Sequence, residues 1–267
     1  MKIWYQSTLD FDHQPNYKRT LNQLARRAAA ESTEVVVRGR PHEFGNSASA
    51  VSATGSPIAY HSIVAPAFLH SLVEAEKQGA DVFVAASFSE PILSELRSLA
   101  TIPVVSMSEG CFTAAALLAP KIGLVTLNEH VPYFLEKSIS LHKWKDRISG
   151  IHLLAGLVVE EDLDAALDPE ANPDHYLQLI REAGRSAIAS GAQVIVLAEG
   201  VLGALAAING LSDIDGVPVI DVVGSTVLYA ELAAALCIKT GVSHSRRAYP
   251  APDDRTREYI VQQLAKG

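Results

Sequence analysis

Short, continuously apolar runs alternating with amphipathic stretches predict an α/β protein built on parallel sheets. Three observations carry this. Val82–Ala86 is too short for a solvent-exposed helix and too continuously apolar for a half-exposed strand, so it reads as a strand buried on both faces. Small polar residues follow it, and a helical pattern follows those. The same order of buried strand, polar turn and helix recurs in GAQVIVLAEGVLGALAAI, which predicts two related lobes with a cleft between them.

The elements follow in order. Lys2–Gln6 is a short apolar strand ending in Gln6-Ser7-Thr8, and a helix covers roughly 16–31. Glu34–Val37 is a second strand. The segment 38–60, with GNSASAVSATGSP at its centre, reads as a long surface loop, either a lid or plain disorder. His61–Gln78 is helical, with His61 at its start. After Val82–Ala86, Ser87 and Glu90 stand at capping-box spacing with Pro91 in the first turn, so a helix is expected within a residue or two of Ser87. Ile102–Ser106 is a buried strand, and Ser108-Glu109-Gly110-Cys111 opens a helix. KIGLVT (121–126) is another strand, with Asn128 as the cap of a helix over about 130–140. Ile151–Leu154 is a shorter strand, EEDLDAALDPEANPD reads as irregular, and a helix from about 175 to 190 leads into Gln193–Ala198. Val217–Ile220 ends at Asp221-Val222-Val223-Gly224-Ser225 before a long apolar helix over 226–240, and a coil crosses to a last helix near 254–265.

Composition narrows the function classes. A chain of 267 residues can bury a sizeable core. With 22 basic against 30 acidic residues, the net charge of −8 argues against nucleic-acid and anionic-membrane partners. No N-terminal targeting pattern is read, and the longest apolar runs are interrupted by Gly, Ser or Asp, so no membrane span is expected. Cys111 and Cys237 have no metal-type spacing and suit a reduced, cytoplasmic protein. In open parallel sheets, ligands sit at the carboxyl ends of strands, where helix N-termini present free N–H groups. Ser87 and the Ser108–Cys111 turn are therefore the first site candidates, each set against the plainer role of helix capping.

DVFVAASFSEPILSELRSLATIPVVSMSEG, KIGLVTLN, AQVIVLAEGVLG and VPVIDVVGSTVLYAELAAALCIKTGVSHSRRAYPAP together resemble the aspartate/glutamate racemase superfamily, in its hydantoin-racemase-like branch. The resemblance implies two Rossmann-like lobes related by a pseudo-two-fold axis, here 1–102 with 218–267 and 103–217, and an active site in the cleft. It also implies a homo-oligomer, a small-molecule substrate, and no metal, nicotinamide or pyridoxal cofactor. In such racemases one cysteine from each lobe flanks the substrate's acidic carbon, one thiolate removing the proton while the other thiol delivers it on the opposite face. The matching positions here are Ser87 and Glu199.

That departure changes the chemistry. A thiol can be tuned toward neutrality by a helix N-terminus, whereas a serine hydroxyl has no accessible anion near neutral pH unless another group takes its proton. Glu199 is competent as a base or, if desolvated, as an acid. The expected site is thus asymmetric. Cys111, at a helix start, reads either as a replacement thiol or as a buried small hydrophobe; Cys237 reads as core. From the family's use of strand-end hydroxyls and N–H groups, Ser7, Thr126, Gly200 and Ser225 are carried over as substrate contacts with Cys111, beside Gln6, Asn128, Asp221 and Gly224 at the same strand ends. Glu90 and Glu109 read as capping and solvent-facing, and His61 as surface or a second acid/base group. The expected function is a cofactor-independent isomerase or epimerase on a hydantoin, cyclic imide, ureido acid or dicarboxylate. The alternatives are a hydrolase or decarboxylase using Glu199 and Ser87, and a silent binding protein.

Overall fold

A computed structural model describes residues 1–41, 57–90, 92–127 and 131–264. Most of the expected 38–60 loop, as well as Asn128, lies outside them.

The first sheet has the order β2-β1-β3-β4, from β1 (Lys2–Ser7), β2 (Glu34–Arg38), β3 (Val82–Ala86) and β4 (Val104–Ser106), all parallel. The second has the order β6-β5-β7-β9-β8. It combines parallel β5 (Ile122–Thr126), β6 (Ile148–Leu153), β7 (Val194–Leu197) and β9 (Val217–Ile220) with β8 (Asp213–Ile214), antiparallel on the edge. The fold is the expected two-lobed α/β architecture. The residues of β3, β5 and β7 are buried along their whole length. Helices cover both faces of such strands, and each fully buried Val, Leu, Ile or Phe contributes about 1.5–3 kcal/mol of transfer free energy.

Crossover helices connect these strands. In the first lobe they are α1 (Pro15–Ala28), α2 (Ala65–Lys77, entered through a π-helical turn at Tyr60–Val64) and α3 (Leu93–Leu99). α4 (Met107–Leu118) links the lobes; α5 (Val131–Leu141), α6 (Glu160–Ala166), α7 (Asp174–Ala189) and α8 (Gly200–Ile208) belong to the second. After β9, α9 (Val222–Thr240) returns to the first lobe, and α10 (Asp254–Leu264) packs on α2. The return is fastened by Arg246, which donates to the carbonyls of Arg97, Ser98 and Ala100 at the end of α3.

Sheet membership moves the expected lobe boundaries. β4 lies beyond residue 102 yet pairs with β3, and β9 begins at Val217 and pairs with β7. The chain therefore leaves the first sheet after Ser106 and the second after Ile220. The acidic stretch read as irregular contains α6. α9, 19 residues long with an 18-residue window of mean hydropathy 1.5, is long and apolar enough by length and composition alone to cross a bilayer. In this fold its inner face packs on α4 and α1. Two glycines allow close approach there. A Cβ on Gly110 of α4 would lie 3.0 Å from the Thr226 Cα atom, and one on Gly203 of α8 would lie 2.2 Å from Val222 Cγ2.

Candidate active site

Strand register gathers the first lobe's site residues. β1 and β3 pair with Ser7 beside Ala86, so Ser7 and Ser87 emerge together at the carboxyl end of the first sheet. Ser87 is not a helix cap. α3 begins only at Leu93, and Ile92 before it supplies no capping side chain. Instead, Ser87 Oγ accepts the Ser89 backbone N–H at 3.2 Å, a local turn that serine favours. The same oxygen lies 2.7 Å from Ser89 Oγ, which in turn is 2.8 Å from the Tyr60 hydroxyl. Ser87 is thus the half-buried end of a hydroxyl chain.

Glu90 is neither a cap nor solvent-facing. It has a positive φ of 44° and a buried side chain. Its carboxylate accepts from Ser106 Oγ and from Ser138 Oγ at 2.7 Å, and His142 Nε2 lies 2.8 Å away. The true capping box is one strand later, where Ser106 caps α4 and Glu109 reaches back to its N–H. Glu109 also holds Arg97 at 2.6 Å, so it is not solvent-facing either. The Glu90 and Glu109 carboxylates hold His142 above the ordinary histidine value despite its burial. His61 is exposed in the π turn and, with Tyr60, Ser89, Glu90, Lys137 and Ser138, borders a cavity of about 240 Å³.

In the second lobe, Glu199 caps α8 with extended backbone (φ −155°, ψ 137°), and its carboxylate accepts the Leu202 N–H at 2.7 Å. Two influences oppose each other. Burial raises its affinity for a proton, the N–H groups of Leu202, Val201 and Gly200 lower it, and burial wins. Glu199 therefore holds its proton more tightly than an ordinary carboxyl, and the residue is half-buried. Gly200 is required by its neighbour, since a Cβ there would lie 2.6 Å from the Tyr17 hydroxyl oxygen. That hydroxyl is also hydrogen-bonded with Ser7, and burial plus the Glu199 charge keep it neutral. Tyr17 joins the two strand ends, with Ser7 on one side and Glu199 and Gly200 on the other.

The remaining predicted residues have these surroundings. Thr126 is fully buried and donates weakly to the Ala198 carbonyl at 3.5 Å, supporting the strand end before Glu199. Cys111 is fully buried, donates to the Val222 carbonyl at 3.5 Å, and is pushed by burial well above the ordinary thiol value. In this structure it packs between α4 and α9, the plainer of its two expected roles. Gln6 is also fully buried, donating to the Ser7 and Gly39 carbonyls. Asp221 caps α9 through the Gly224 N–H and pairs with Arg27. Ser225 is half-buried in the first turn of α9, and Cys237 is half-buried further along it. Among the described residues no group of three or more His, Cys, Asp or Glu side chains is placed to hold a metal ion.

Two site residues escape a reading of the sequence. Tyr17 looks like one more apolar position of an amphipathic helix. Glu160 at the start of α6 is 3% exposed, and burial and the Glu199 charge raise it to about 8. A signal for Glu160 existed: Glu160, Leu163, Asp164 and Leu167 share one helical face, and all four are buried.

Residues 16–230 match the Asp/Glu/hydantoin racemase family. Among curated proteins, the hydantoin racemase of Pseudomonas sp. (strain NS671) is 29% identical over 196 residues, covering 73% of each chain. The hydantoin racemase of Rhizobium meliloti is 28% identical over 209 residues, 76% of this chain and 80% of its own. Among solved structures, allantoin racemase from Klebsiella pneumoniae superposes with a TM-score of 0.75 at 22% identity, covering 95% of this chain and 94% of the other. Allantoin racemase from Pseudomonas fluorescens gives 0.71, also at 22% identity, with 95% and 97% covered. With the match spanning most of the chain and the site-bearing turns after β3 and β7, the chain belongs to the Asp/Glu/hydantoin racemase family.

Proposed function

We propose that this racemase-family enzyme inverts the carbon next to a carbonyl in a small cyclic ureide, the chemical class of hydantoin and allantoin, without a cofactor. The observation that carries the reading is Glu199: a carboxyl of raised proton affinity, capping α8 at the strand–helix turn of the second lobe. Its carboxylate takes the carbon-bound proton while the C–H electron pair moves into the enolate. The α8 N–H groups are occupied by Glu199 itself, so the neutral Tyr17 hydroxyl, beside Gly200, is the donor suited to the enolate oxygen. On the opposite face Ser87 delivers a proton that Ser89 and Tyr60 replace from solvent.

A hydroxyl is a poorer acid than a thiol, so the proton transfer at the Ser87 face is the harder of the two steps, in whichever direction inversion runs. The hydrolytic alternative, in which Glu199 activates water or deprotonates Ser87, would open the ring instead of inverting the carbon. Reduced Cys111 and Cys237 fit a cytoplasmic setting, and an exposed row of Leu228, Leu232 and Leu236 on α9 suits association between copies. The test is circular dichroism of a resolved 5-substituted hydantoin and of resolved allantoin incubated with the protein. Decay of the signal to zero without ring opening supports the reading; a stable signal with both would overturn it.

A further inference from the structure

The turn that carries Ser87 is anchored at each of the three residues that follow it. Ser108 Oγ of α4 donates to the Phe88 carbonyl at 3.1 Å, and the Tyr60 hydroxyl lies 2.8 Å from Ser89 Oγ. Glu90 ties the turn to the second lobe. Its side chain is 1% exposed, and its carboxylate uses both oxygens. Oε1 accepts from Ser106 Oγ at the end of β4. Oε2 accepts from Ser138 Oγ on α5 at 2.7 Å, and His142, just past the end of α5, places Nε2 2.8 Å from the same oxygen. A carboxylate only accepts, so His142 is the donor there.

Backbone and charge point the same way. Glu90 lies at φ 44°, in the left-handed region that a residue with a Cβ keeps only where its surroundings hold it. Behind it the charges alternate: Glu109 Oε1 of α4 is 3.6 Å from His142 Nδ1, and Glu109 pairs with Arg97 of α3, whose guanidinium also donates to the Val104 carbonyl. A buried ion pair adds little net stability over apolar residues of the same size, whereas charge-assisted hydrogen bonds fix direction.

We propose that Glu90 is a positioning residue for the reaction: held by Ser138 and His142 of the second lobe, it fixes the turn so that the Ser87 hydroxyl stands where the first-lobe proton is delivered. The inference rests on Ser87 as that donor. Once Glu199 has taken the carbon-bound proton and the C–H electron pair has passed into the enolate, two outcomes compete. Glu199 returns a proton to the face it came from, with retention. Otherwise the Ser87 O–H bond breaks as a C–H bond forms on the opposite face, with inversion, and the hydroxyl chain is refilled from solvent. Displacing Ser87 slows the second outcome and spares the first.

The experiment incubates each resolved enantiomer of a 5-substituted hydantoin with the protein in deuterated water and separates the deuterated products on a chiral phase. For the enantiomer whose proton Glu199 takes, Glu90→Gln is expected to raise the ratio of retained to inverted product by about ten-fold or more, the scale set by small misplacements of a reacting group. Glutamine keeps the size but offers one accepting oxygen where Glu90 uses both. His142→Phe, which removes one second-lobe donor, is expected to raise the ratio less, and gives the reading if Glu90→Gln does not fold. The ratio does not depend on how much protein is folded. A merely structural Glu90 would lower both products together, and an unchanged ratio overturns the proposal. A crystal structure of Glu90→Gln supplies a readout that needs no turnover: Ser87 Oγ is expected to be displaced, and a turn that superposes on the wild type overturns the proposal. A displaced turn in a protein that exchanges no hydantoin proton would sustain the role of Glu90 in holding the turn and remove the proposed reaction.

Discussion

Replacing Glu160 by glutamine tests the buried pair through stability alone. In the folded chain burial and Glu199 raise Glu160 to about 8, against an ordinary value of 4.5. A carboxyl whose folded value lies above its unfolded one gives stability that is fully present below the unfolded value and is lost as pH rises to the folded one. Between pH 4.5 and 8 the unfolded chain releases this proton while the folded chain keeps it. Stability therefore falls across that window by up to about 1.4 kcal/mol per pH unit, with a ceiling of roughly 5 kcal/mol over the whole of it. Coupling to Glu199 divides the effect between two carboxyls, so the measured slope lies below that ceiling. Urea midpoints at a series of pH values give the slope for both proteins. Glu160→Gln is expected to flatten the curve across the window, leaving the slope that belongs to Glu199. Parallel curves for the two proteins would refute the reasoning.

Other substitutions have equally definite outcomes. Ser87→Ala is expected to cut inversion by about 10²-fold or more in both directions alike, because the two enantiomers are equal in energy, as for the loss of a positioned proton-transfer group; exchange of the C–H proton for deuterium with retention persists for the enantiomer whose proton Glu199 takes, and inversion at the wild-type rate would contradict Ser87 as the first-lobe donor. Cys111→Ala is expected to leave inversion within a few-fold of wild type while lowering stability by about 1 kcal/mol, the typical cost of a point change; abolished activity in a folded variant would restore the thiol to the mechanism. Gly203→Ala places a methyl 2.2 Å from Val222 Cγ2 and is expected to cost about 1–3 kcal/mol by overpacking α8 against α9, read from thermal unfolding.

Local grammar made the fold legible and left most of the site hidden. β3, β5 and β7 stand out because a strand buried on both faces must be apolar throughout, and their carboxyl ends direct attention to Ser87 and Glu199. The capping signal after β3 misled, because SFSE offers a box on paper while Glu90 is taken by Ser106, Ser138 and His142. Glu90 and His142 are 52 residues apart in the chain, a separation no local pattern reports. Cys111 has the helix-start position of a reactive thiol, yet α9 returning from the far end of the chain covers it and burial decides its state. Tyr17 enters the site only because Gly200 leaves room for its hydroxyl. Glu160 hid among five acidic residues in nine, although its helical face carries Leu163 and Leu167.

Proton NMR of a 5-substituted hydantoin in deuterated water, with the wild-type protein and with Glu199→Gln, tests the central claim most directly. Wild type is expected to replace the C5 proton by deuterium without new products, and Glu199→Gln to stop that exchange in a protein that remains folded. Undiminished exchange in Glu199→Gln, or ring-opened product from wild type, would contradict the assignment of Glu199 as the group that moves the proton.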